Sequence, residues 1–288
     1  MLLVMHQNKP NWKELVRQVT GSLRKVGIAV LAEPWLWEGM GEEAPLLFQN
    51  SAGLMEKGRL MKGAVDAAIS VGGDGTLLRA NQAALPINAP VLGVNVGNIG
   101  FLTELELEQL DASCQRLRED DFFLEPRMML QASLPDGSVL TALNDVVISR
   151  GGSARLIAVK ASIDQEPVGR YIADGLIVST PTGSTGYSLA AGGPIVCPDV
   201  DCMVLSPICA HSLQHRPVVS SPRQTVVLEL DFEPQRQAQL SIDGQEPVLL
   251  RGGQKVTIIR SARDAQFIRL EPKGFFQLIR YKLSEWSC

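Results

Sequence analysis

The chain has 288 residues, of which 45% are hydrophobic and 20% are charged, and its formal net charge is -4 at pH 7. This length and composition predict one large or two medium globular domains. The negative charge argues against a general nucleic-acid-binding protein, which needs a basic face for phosphate contacts, but it leaves small phosphorylated ligands open.

Cysteine usage and hydropathy indicate a cytoplasmic protein. The chain has five cysteines, and no two of them form a Cys-x-x-Cys pair. This pattern does not predict a disulfide framework and favours a reducing compartment. The N-terminus lacks the basic region and cleavage site of a signal peptide, and no apolar run approaches the roughly 18 residues that span a bilayer. We therefore expect no membrane association.

The first part of the chain alternates short apolar runs with helical periodicity. The strand candidates are Leu2–Met5, Ile28–Leu31, Ala67–Val71 and Val91–Val94, and the helix candidates are Trp12–Val26 and Thr76–Leu85. Alternation of this kind predicts a mostly parallel sheet covered by helices.

The character of the sequence changes near Phe122, where short strands and turn signals begin. The strand candidates are Met128–Leu134, Val139–Ile148, Leu156–Ile163, Leu176–Ser179, Thr225–Leu230, Ala238–Ile242 and Lys255–Ile259. Asp-Gly pairs at 136–137 and 243–244 are typical of hairpin turns. We expect an α/β domain over residues 1–121, joined by the C-terminal segment 271–288, and a β-rich, sandwich-like domain over residues 122–270.

The first chemical motif is the glycine-rich turn Gly72–Thr76, which connects a strand to a helix. Glycines allow close backbone approach, and amides at a helix N-terminus attract phosphate. An acid, Asp74, would normally repel phosphate, so its presence suggests a chemical or metal-related task. A tight turn capped by the acid is the structural alternative. The spacing matches neither a P-loop nor the Gly-x-Gly-x-x-Gly dinucleotide fingerprint.

A second glycine-rich loop, Asn95–Leu102, follows the next strand. In a parallel sheet both loops emerge at the carboxyl edge, where open α/β folds bind ligands. Phe101 could pack against a planar base or belong to the core.

The third motif is the polar pair Asn144 and Asp145 inside an apolar strand. An amide offers a donor and an acceptor to a base edge, and a carboxylate accepts from ribose hydroxyls. A bulge or a strand end is the alternative explanation.

The fourth motif, Asp174–Pro194, combines many hydroxyl side chains with glycines after a strand. Neutral donors of this kind suit a nucleotide, whereas local turn chemistry explains only parts of the segment.

A metal site is a weaker interpretation of Cys209, His211 and His215. No further ligand completes the cluster, and prolines bracket the segment, so we expect no protein-held metal. No Ser/His/Asp order indicates a hydrolase.

Taken in this order, the four motifs resemble the NAD kinase family, which belongs to a wider group with diacylglycerol and sphingosine kinases. The Gly72–Thr76 turn is shared across that group and with phosphofructokinases. The other three motifs are specific to NAD kinases, and the segment Pro207–Pro217 is also similar. The resemblance covers about residues 66–250.

The resemblance implies ATP-dependent phosphorylation of NAD+ at the adenosine ribose 2′-hydroxyl, giving NADP+. Asp74 would act as the general base, in an active site lying in a cleft between the two domains. A divalent metal ion, Mg2+, would arrive with ATP. Family members are homodimers or homotetramers, so a homo-oligomer is expected.

Ligand contacts carry over residue by residue. The resemblance places Gly75 and Arg79 beside the dinucleotide, Phe101 in the adenine pocket, and Asn144 and Asp145 on the NAD ribose and phosphates.

The later motifs supply the remaining contacts. By the same resemblance, Asp174 would bond near the nicotinamide end, Thr185, Tyr187 and Ser188 would line the adenine side, and Gln245 would face the ligand.

The chain departs from the family pattern at a few positions. Asp145 stands where many members have Glu, and Gly186 stands where Ala is frequent. Ile172 replaces an Arg that is common in bacterial relatives, which leaves the preference between NAD+ and NADH open. Arg155 is the candidate for a nearby positive charge.

Two rival functions remain open from the sequence. A lipid kinase would share Asp74 but would need an apolar entry for its substrate. A non-catalytic NAD-sensing protein would not need a base at Asp74. The sequence also leaves open ATP or polyphosphate as donor, the oligomer size, feedback by NADPH or NADH, and the role of residues 1–60.

Overall fold

The computed structural model describes residues 1–6, 9–50, 55–56, 59–97, 100–212, 214–272 and 274–285. The chain forms two compact units, one made of Met1–Pro126 with Ala265–Cys288 and the other of Arg127–Asp264. Residues 98–99 of the second glycine loop, Leu213 and Trp286 lie outside the described residues.

The first unit is built on a mostly parallel sheet, which has seven strands within the described residues. Its order is β2-β1-β5-β6-β21-β8, and β7 pairs with β6. Strands β3 and β4 pair antiparallel in a separate two-stranded sheet. The strands are β1 Leu2–Met5, β2 Leu31–Ala32, β3 Met55–Glu56, β4 Arg59–Leu60, β5 Ala68–Gly72, β6 Val91–Asn95, β7 Leu105–Glu106, β8 Phe123–Arg127 and β21 Ala265–Arg269.

Helices accompany this sheet. They are α1 Trp12–Lys25, α2 Pro34–Met40, α3 Ala44–Leu47, α4 Asp74–Ala84, α5 Leu110–Arg118 and α7 Phe275–Glu285. The apolar stripe of α1, including Leu15, Val19 and Leu23, is buried in the same hydrophobic cluster as strand residues such as Ile69 and Leu92. The helical spacing of the apolar residues therefore identified the face that packs in the core.

The second unit, described over 127–212 and 214–264, contains two antiparallel sheets of six strands each. Their orders are β10-β9-β20-β17-β12-β13 and β16-β15-β14-β11-β18-β19. The strands are β9 Leu130–Ser133, β10 Val139–Ala142, β11 Asp145–Ser149, β12 Ile157–Ile163, β13 Glu166–Ala173, β14 Gly175–Ser179, β15 Met203–Ile208, β16 Val218–Ser220, β17 Val226–Leu230, β18 Gln237–Ile242, β19 Val248–Arg251 and β20 Lys255–Arg260, and a short helix, α6, spans Tyr187–Ala190.

Side chains from both sheets form the hydrophobic core of the second unit. Leu130 and Leu228 come from one sheet, and Ile148 and Leu240 come from the other. The alternating burial of β17 is the pattern of a strand with one face in a core. The expected fold class, an α/β domain with a mostly parallel sheet plus a β-rich domain, is confirmed.

Two sequence-based predictions differ from the structure. The predicted single strand Val139–Ile148 is two strands, β10 and β11, in different sheets, because the chain leaves one sheet and enters the other at Leu143 and Asn144. In addition, β8 and β21 pair within the first sheet, so the units divide at 126/127 and 264/265 rather than at 121/122 and 270/271.

Within the described ranges, no helix is long and apolar enough to cross a membrane. The cysteines of those ranges, Cys114, Cys197, Cys202 and Cys209, are free thiols.

Gly175 tests the packing of β14. A Cβ added there would lie 2.6 Å from the Ile148 carbonyl oxygen and 2.8 Å from Ile208 Cδ1. We expect Gly175→Ala to lower the free energy of unfolding by about 1–3 kcal/mol, since overpacked cores must distort. The matched control is Gly152→Ala, where an added Cβ meets nothing within 4 Å. Chemical denaturation measures both variants, and equal stability of the two would contradict the packing described here.

Candidate active site

The two glycine-rich loops of the first unit meet at the carboxyl edge of its parallel sheet. Strands β5 and β6 are parallel neighbours, with Gly72 in register with Asn95. The Val96 amide donates to the Gly72 carbonyl oxygen at 3.1 Å, so the chains remain side by side as they leave the sheet. The expectation that both loops share one edge is confirmed.

Asp74 is the first residue of α4 and is held by the second glycine loop. The Phe101 amide donates to its Oδ2 at 2.8 Å, and the Leu102 amide donates to its Oδ1 at 3.0 Å. The helix N-terminus adds a favourable field for the negative charge. A side chain at position 100 would displace the carboxylate, because an added Cβ would lie 2.0 Å from Asp74 Oδ1. The carboxylate is therefore fixed in orientation by backbone donors.

The turn around Asp74 is tight on one side and open on the other. A Cβ at Gly72 would lie 2.2 Å from Thr76 Oγ1, and that hydroxyl is buried without a partner among the described residues. A Cβ at Gly73 or Gly75 would meet nothing within 4 Å. Backbone at the start of α4 is therefore free of steric cover, as a phosphate-binding turn requires.

Residues from the first 60 positions contact these motifs, which the sequence alone did not indicate. Arg79 pairs with Glu33 at 2.8 Å and donates to the Met5 carbonyl oxygen at 3.1 Å. The Lys9 ammonium donates to the Val96 carbonyl oxygen at 2.6 Å, at the start of the second glycine loop. The contacts with Met5 and Val96 join residues 74 and 87 positions apart, so no local pattern could have revealed them.

In the second unit, Asp243 organises the Asn144 motif. Its Oδ1 accepts from the amides of Asn144 at 2.7 Å and Asp145 at 3.1 Å, and its Oδ2 accepts from the Leu143 amide at 2.8 Å. Asp243 and Gly244 both have positive φ, as expected for the predicted Asp-Gly turn. The sequence predicted the turn but not that its carboxylate binds the backbone of the polar pair.

Asp145 begins β11 and is only 6% exposed. Burial, and secondarily the negative charge of Asp243, raise the pKa of its carboxyl from 3.8 to about 7. Burial disfavours the ionised form because the interior solvates charge poorly. Near neutral pH the protonated and ionised forms of this carboxyl are therefore both populated, so it can either donate or accept a hydrogen bond.

Asn144 packs against the hydroxyl-rich turn, so the third and fourth motifs form one site. Its carbonyl oxygen accepts from the Thr180 amide at 2.9 Å. A Cβ at Gly183 would lie 2.1 Å from the same oxygen, and one at Gly186 would lie 3.7 Å from Asn144 Nδ2. The side-chain Oδ1 of Asn144 is buried with no partner among the described residues. An amide oxygen in this state is available to a ligand or a water.

The rest of the hydroxyl-rich turn divides into exposed and structural residues. Tyr187 is exposed, and Thr185 Oγ1 donates to the Thr182 carbonyl oxygen at 3.1 Å. Ser188 is fully buried, and its hydroxyl bonds to that of Ser206 at 2.9 Å. Through this hydrogen bond, Ser188 stabilises the turn from inside the unit.

Asp174 precedes β14 and pairs with Arg150, whose Nε lies 2.5 Å from its Oδ1. The sequence had suggested Arg155 as a nearby cation and missed Arg150. Arg155 is exposed, and Gln245 is exposed at the turn that follows Asp243. An Arg-carboxylate pair orients the acid and leaves its other oxygen free to accept.

The described residues contain no group of three or more His, Cys, Asp or Glu side chains placed to hold a metal ion. A carboxylate fixed at a helix N-terminus beside open glycine backbone can orient a hydroxyl nucleophile near a phosphate.

The raised pKa of Asp145 has a consequence for stability. Its unfolded pKa is near 3.8 and its folded pKa is about 7. Between these values the folded state holds a proton that the unfolded state lacks, so the contribution of Asp145 to stability falls as pH rises from about 4 to about 7. Asp145→Asn cannot ionise, and its stability relative to the parent chain should therefore increase from about pH 5 to about pH 8.

The slope of this difference is at most about 1.4 kcal/mol per pH unit, measured by denaturation at several pH values. The matched control is Asp136→Asn, whose exposed carboxylate is stabilised by Ser138 and has a lowered pKa. The difference in the free energy of unfolding between Asp136→Asn and the parent chain should not change from about pH 5 to about pH 8. A pH-independent difference for Asp145→Asn would show that the buried carboxyl remains ionised.

Comparison with known proteins matches this arrangement to one family. The sequence model of the ATP-NAD kinase N-terminal domain matches residues 1–122, and that of the ATP-NAD kinase C-terminal domain matches residues 143–270. The NAD kinase of Desulforamulus reducens is 38% identical, with 99% of this chain and 97% of that protein covered. The NAD kinase of Symbiobacterium thermophilum is also 38% identical, with 98% of each covered.

Solved structures give the same result. Yeast NADH kinase complexed with NADH has a TM-score of 0.80 and 25% identity, covering 97% of this chain and 84% of that one. An NAD kinase from Archaeoglobus fulgidus in complex with ATP has a TM-score of 0.73 and 26% identity, covering 98% of both chains. The resemblance inferred from the four motifs is confirmed, and the chain belongs to the NAD kinase family of phosphotransferases.

Proposed function

We propose that this chain transfers the γ-phosphoryl group of ATP to the adenosine ribose 2′-hydroxyl of NAD+, giving NADP+ and ADP. The 2′-oxygen forms the new bond to phosphorus while the bond from the γ-phosphorus to the β-bridging oxygen breaks. Asp74 accepts the proton of the hydroxyl. The observation that carries this proposal is the fixed carboxylate of Asp74 at the start of α4.

The hydrogen bonds of Asp74 suit a general base. Each carboxylate oxygen accepts a single described backbone bond, from Phe101 or Leu102. Since each oxygen has two acceptor positions, both can still accept a hydroxyl proton. Fixed orientation matters because phosphoryl transfer depends mainly on positioning and charge stabilisation.

The open backbone of Gly73 and Gly75 suits the phosphates that Asp74 alone would repel. Magnesium ion would enter as part of the ATP substrate, since phosphate oxygens are common ligands of this ion. The Archaeoglobus fulgidus relative was solved in complex with ATP, which supports ATP as the donor. Arg79 would contact a dinucleotide phosphate only in competition with Glu33.

The second unit supplies the features that favour a dinucleotide acceptor over a lipid. The buried, unpartnered Asn144 Oδ1 can accept from an exocyclic amine or a hydroxyl, and Asp145 can accept from or donate to ribose. The yeast relative was solved with NADH, a ligand of the same class. The further ligand contacts that we propose are Phe101, Arg155, Asp174, Thr185, Gly186, Tyr187 and Gln245, whereas the fully buried Ser188 supports the turn instead of contacting the ligand.

We also propose that the protein is cytoplasmic and forms a homodimer or a homotetramer. We expect it to use only small-molecule substrates.

Asp74→Asn tests the role of the base. We expect kcat for NADP+ formation to fall by about 100- to 10,000-fold, because the amide cannot accept the proton, while NAD+ still binds. A coupled NADP-specific dehydrogenase measures the rate, and calorimetry measures binding. The control is Asp111→Asn, an exposed acid in the same unit that pairs with Lys25, which should keep its turnover. Unchanged turnover in Asp74→Asn would exclude the base assignment.

Asn144→Ala tests the acceptor site. Loss of a buried hydrogen-bonding amide should raise KM for NAD+ by about 10-fold and leave KM for ATP within about twofold. The control is Gln237→Ala, an exposed residue of the same sheet. Equal changes in both KM values would argue against a dinucleotide contact, and phosphorylation of diacylglycerol in place of NAD+ would favour the lipid kinase alternative.

A further inference from the structure

Arg269, the last residue of β21, is a buried cation that the proposed reaction does not use. It is 5% exposed. A guanidinium in this position must be paired and hydrogen-bonded, because removing an unpaired charge from water costs several kcal/mol.

The partners of Arg269 lie in distant parts of the first unit. Its Nε donates to Glu125 Oε2 at 2.6 Å, and its Nη1 donates to Glu104 Oε2 at 3.2 Å and to the Leu102 carbonyl oxygen at 3.0 Å. Glu104 Oε1 accepts from the amides of Leu270 and Glu271, which immobilises this acid as well. The guanidinium is therefore held between two carboxylates and directed at one peptide carbonyl.

Leu102 connects this cluster to the proposed base. Its carbonyl oxygen accepts from Arg269, and its amide donates to Asp74 Oδ1 at 3.0 Å. The neighbouring Phe101 amide donates to Asp74 Oδ2 at 2.8 Å. Arg269 therefore holds the Leu102 residue whose amide, with that of Phe101, orients the Asp74 carboxylate.

Gly100, which precedes the Phe101 and Leu102 amides, borders a cavity. Gly100 and residues 103–106 line a cavity of about 500 Å³, together with side chains of α5 and α7 such as Arg116 and Gln277. Gly100 therefore has open space beside it, whereas Leu102, whose carbonyl oxygen accepts from Arg269, is buried.

We propose that Arg269 is a positioning residue for Asp74, acting through the Leu102 peptide. This inference rests on the proposed role of Asp74 as the base. Arginine suits the task because its rigid planar fork binds two carboxylates and a carbonyl at once, whereas lysine offers a single charged point.

The test compares Arg269→Met with the control Arg116→Met. Arg116 also lies near the end of this strand, where it pairs with Asp121 and Glu271 and donates to the Leu270 carbonyl oxygen rather than to that of Leu102. In Arg269→Met we expect kcat to fall by about 10- to 100-fold, since a small misplacement of a reacting group is costly, while KM for NAD+ and ATP stays within about twofold. Arg116→Met should keep the parent kcat.

Amide hydrogen exchange supplies a second readout that does not depend on activity. The Phe101 and Leu102 amides should exchange slowly in the parent chain and in Arg116→Met, and clearly faster in Arg269→Met. Arg269→Lys should recover part of both kcat and protection. If Arg269→Met does not fold, Arg269→Lys and Glu125→Gln carry the same comparison.

The outcomes separate the two proposals. Parent-like kcat and exchange in a folded Arg269→Met variant would overturn the positioning role. A parent chain that makes no NADP+, but whose Phe101 and Leu102 amides lose protection in Arg269→Met, would refute the proposed function and retain the control of Asp74 by Arg269. A fall in global stability with unchanged kcat would show that the ion cluster is structural only.

Discussion

The candidate site of the first unit depends on one interaction, in which the amides of Phe101 and Leu102 both donate to the Asp74 carboxylate. It joins the helix that begins after β5 to the loop that follows β6. Gly100 leaves room for these two hydrogen bonds, since a side chain there would collide with the carboxylate in its present position. The two backbone donors stabilise the negative charge of the carboxylate and leave each of its oxygens with an unused acceptor position.

In the second unit, backbone amides likewise donate to a single carboxylate, that of Asp243. Asp243 accepts from the amides of the Leu143–Asp145 segment, where the chain passes from one sheet to the other. Its negative charge also contributes to the raised pKa of Asp145. One carboxylate therefore both orders the backbone of Asn144 and alters the acidity of its neighbour.

The sequence predicted the elements well where burial is continuous. Strands such as Leu2–Met5 and β6 appear as apolar runs because both faces of a parallel sheet are covered. It failed at Val139–Ile148, because apolar content does not reveal that a chain changes sheets. It also missed Asp243 and Arg269, whose contacts span 100 and 167 positions and leave no local periodic signal.

In the proposed reaction, Asp74 faces the hydroxyl that is phosphorylated. A crystal structure of the chain with NAD+, Mg2+ and a non-hydrolysable ATP analogue tests it most directly. We expect an Asp74 carboxylate oxygen within about 2.6–3.2 Å of the adenosine ribose 2′-oxygen, with the Phe101 and Leu102 bonds retained. A 2′-oxygen beyond hydrogen-bonding distance of Asp74, with another group serving as its acceptor, would contradict it.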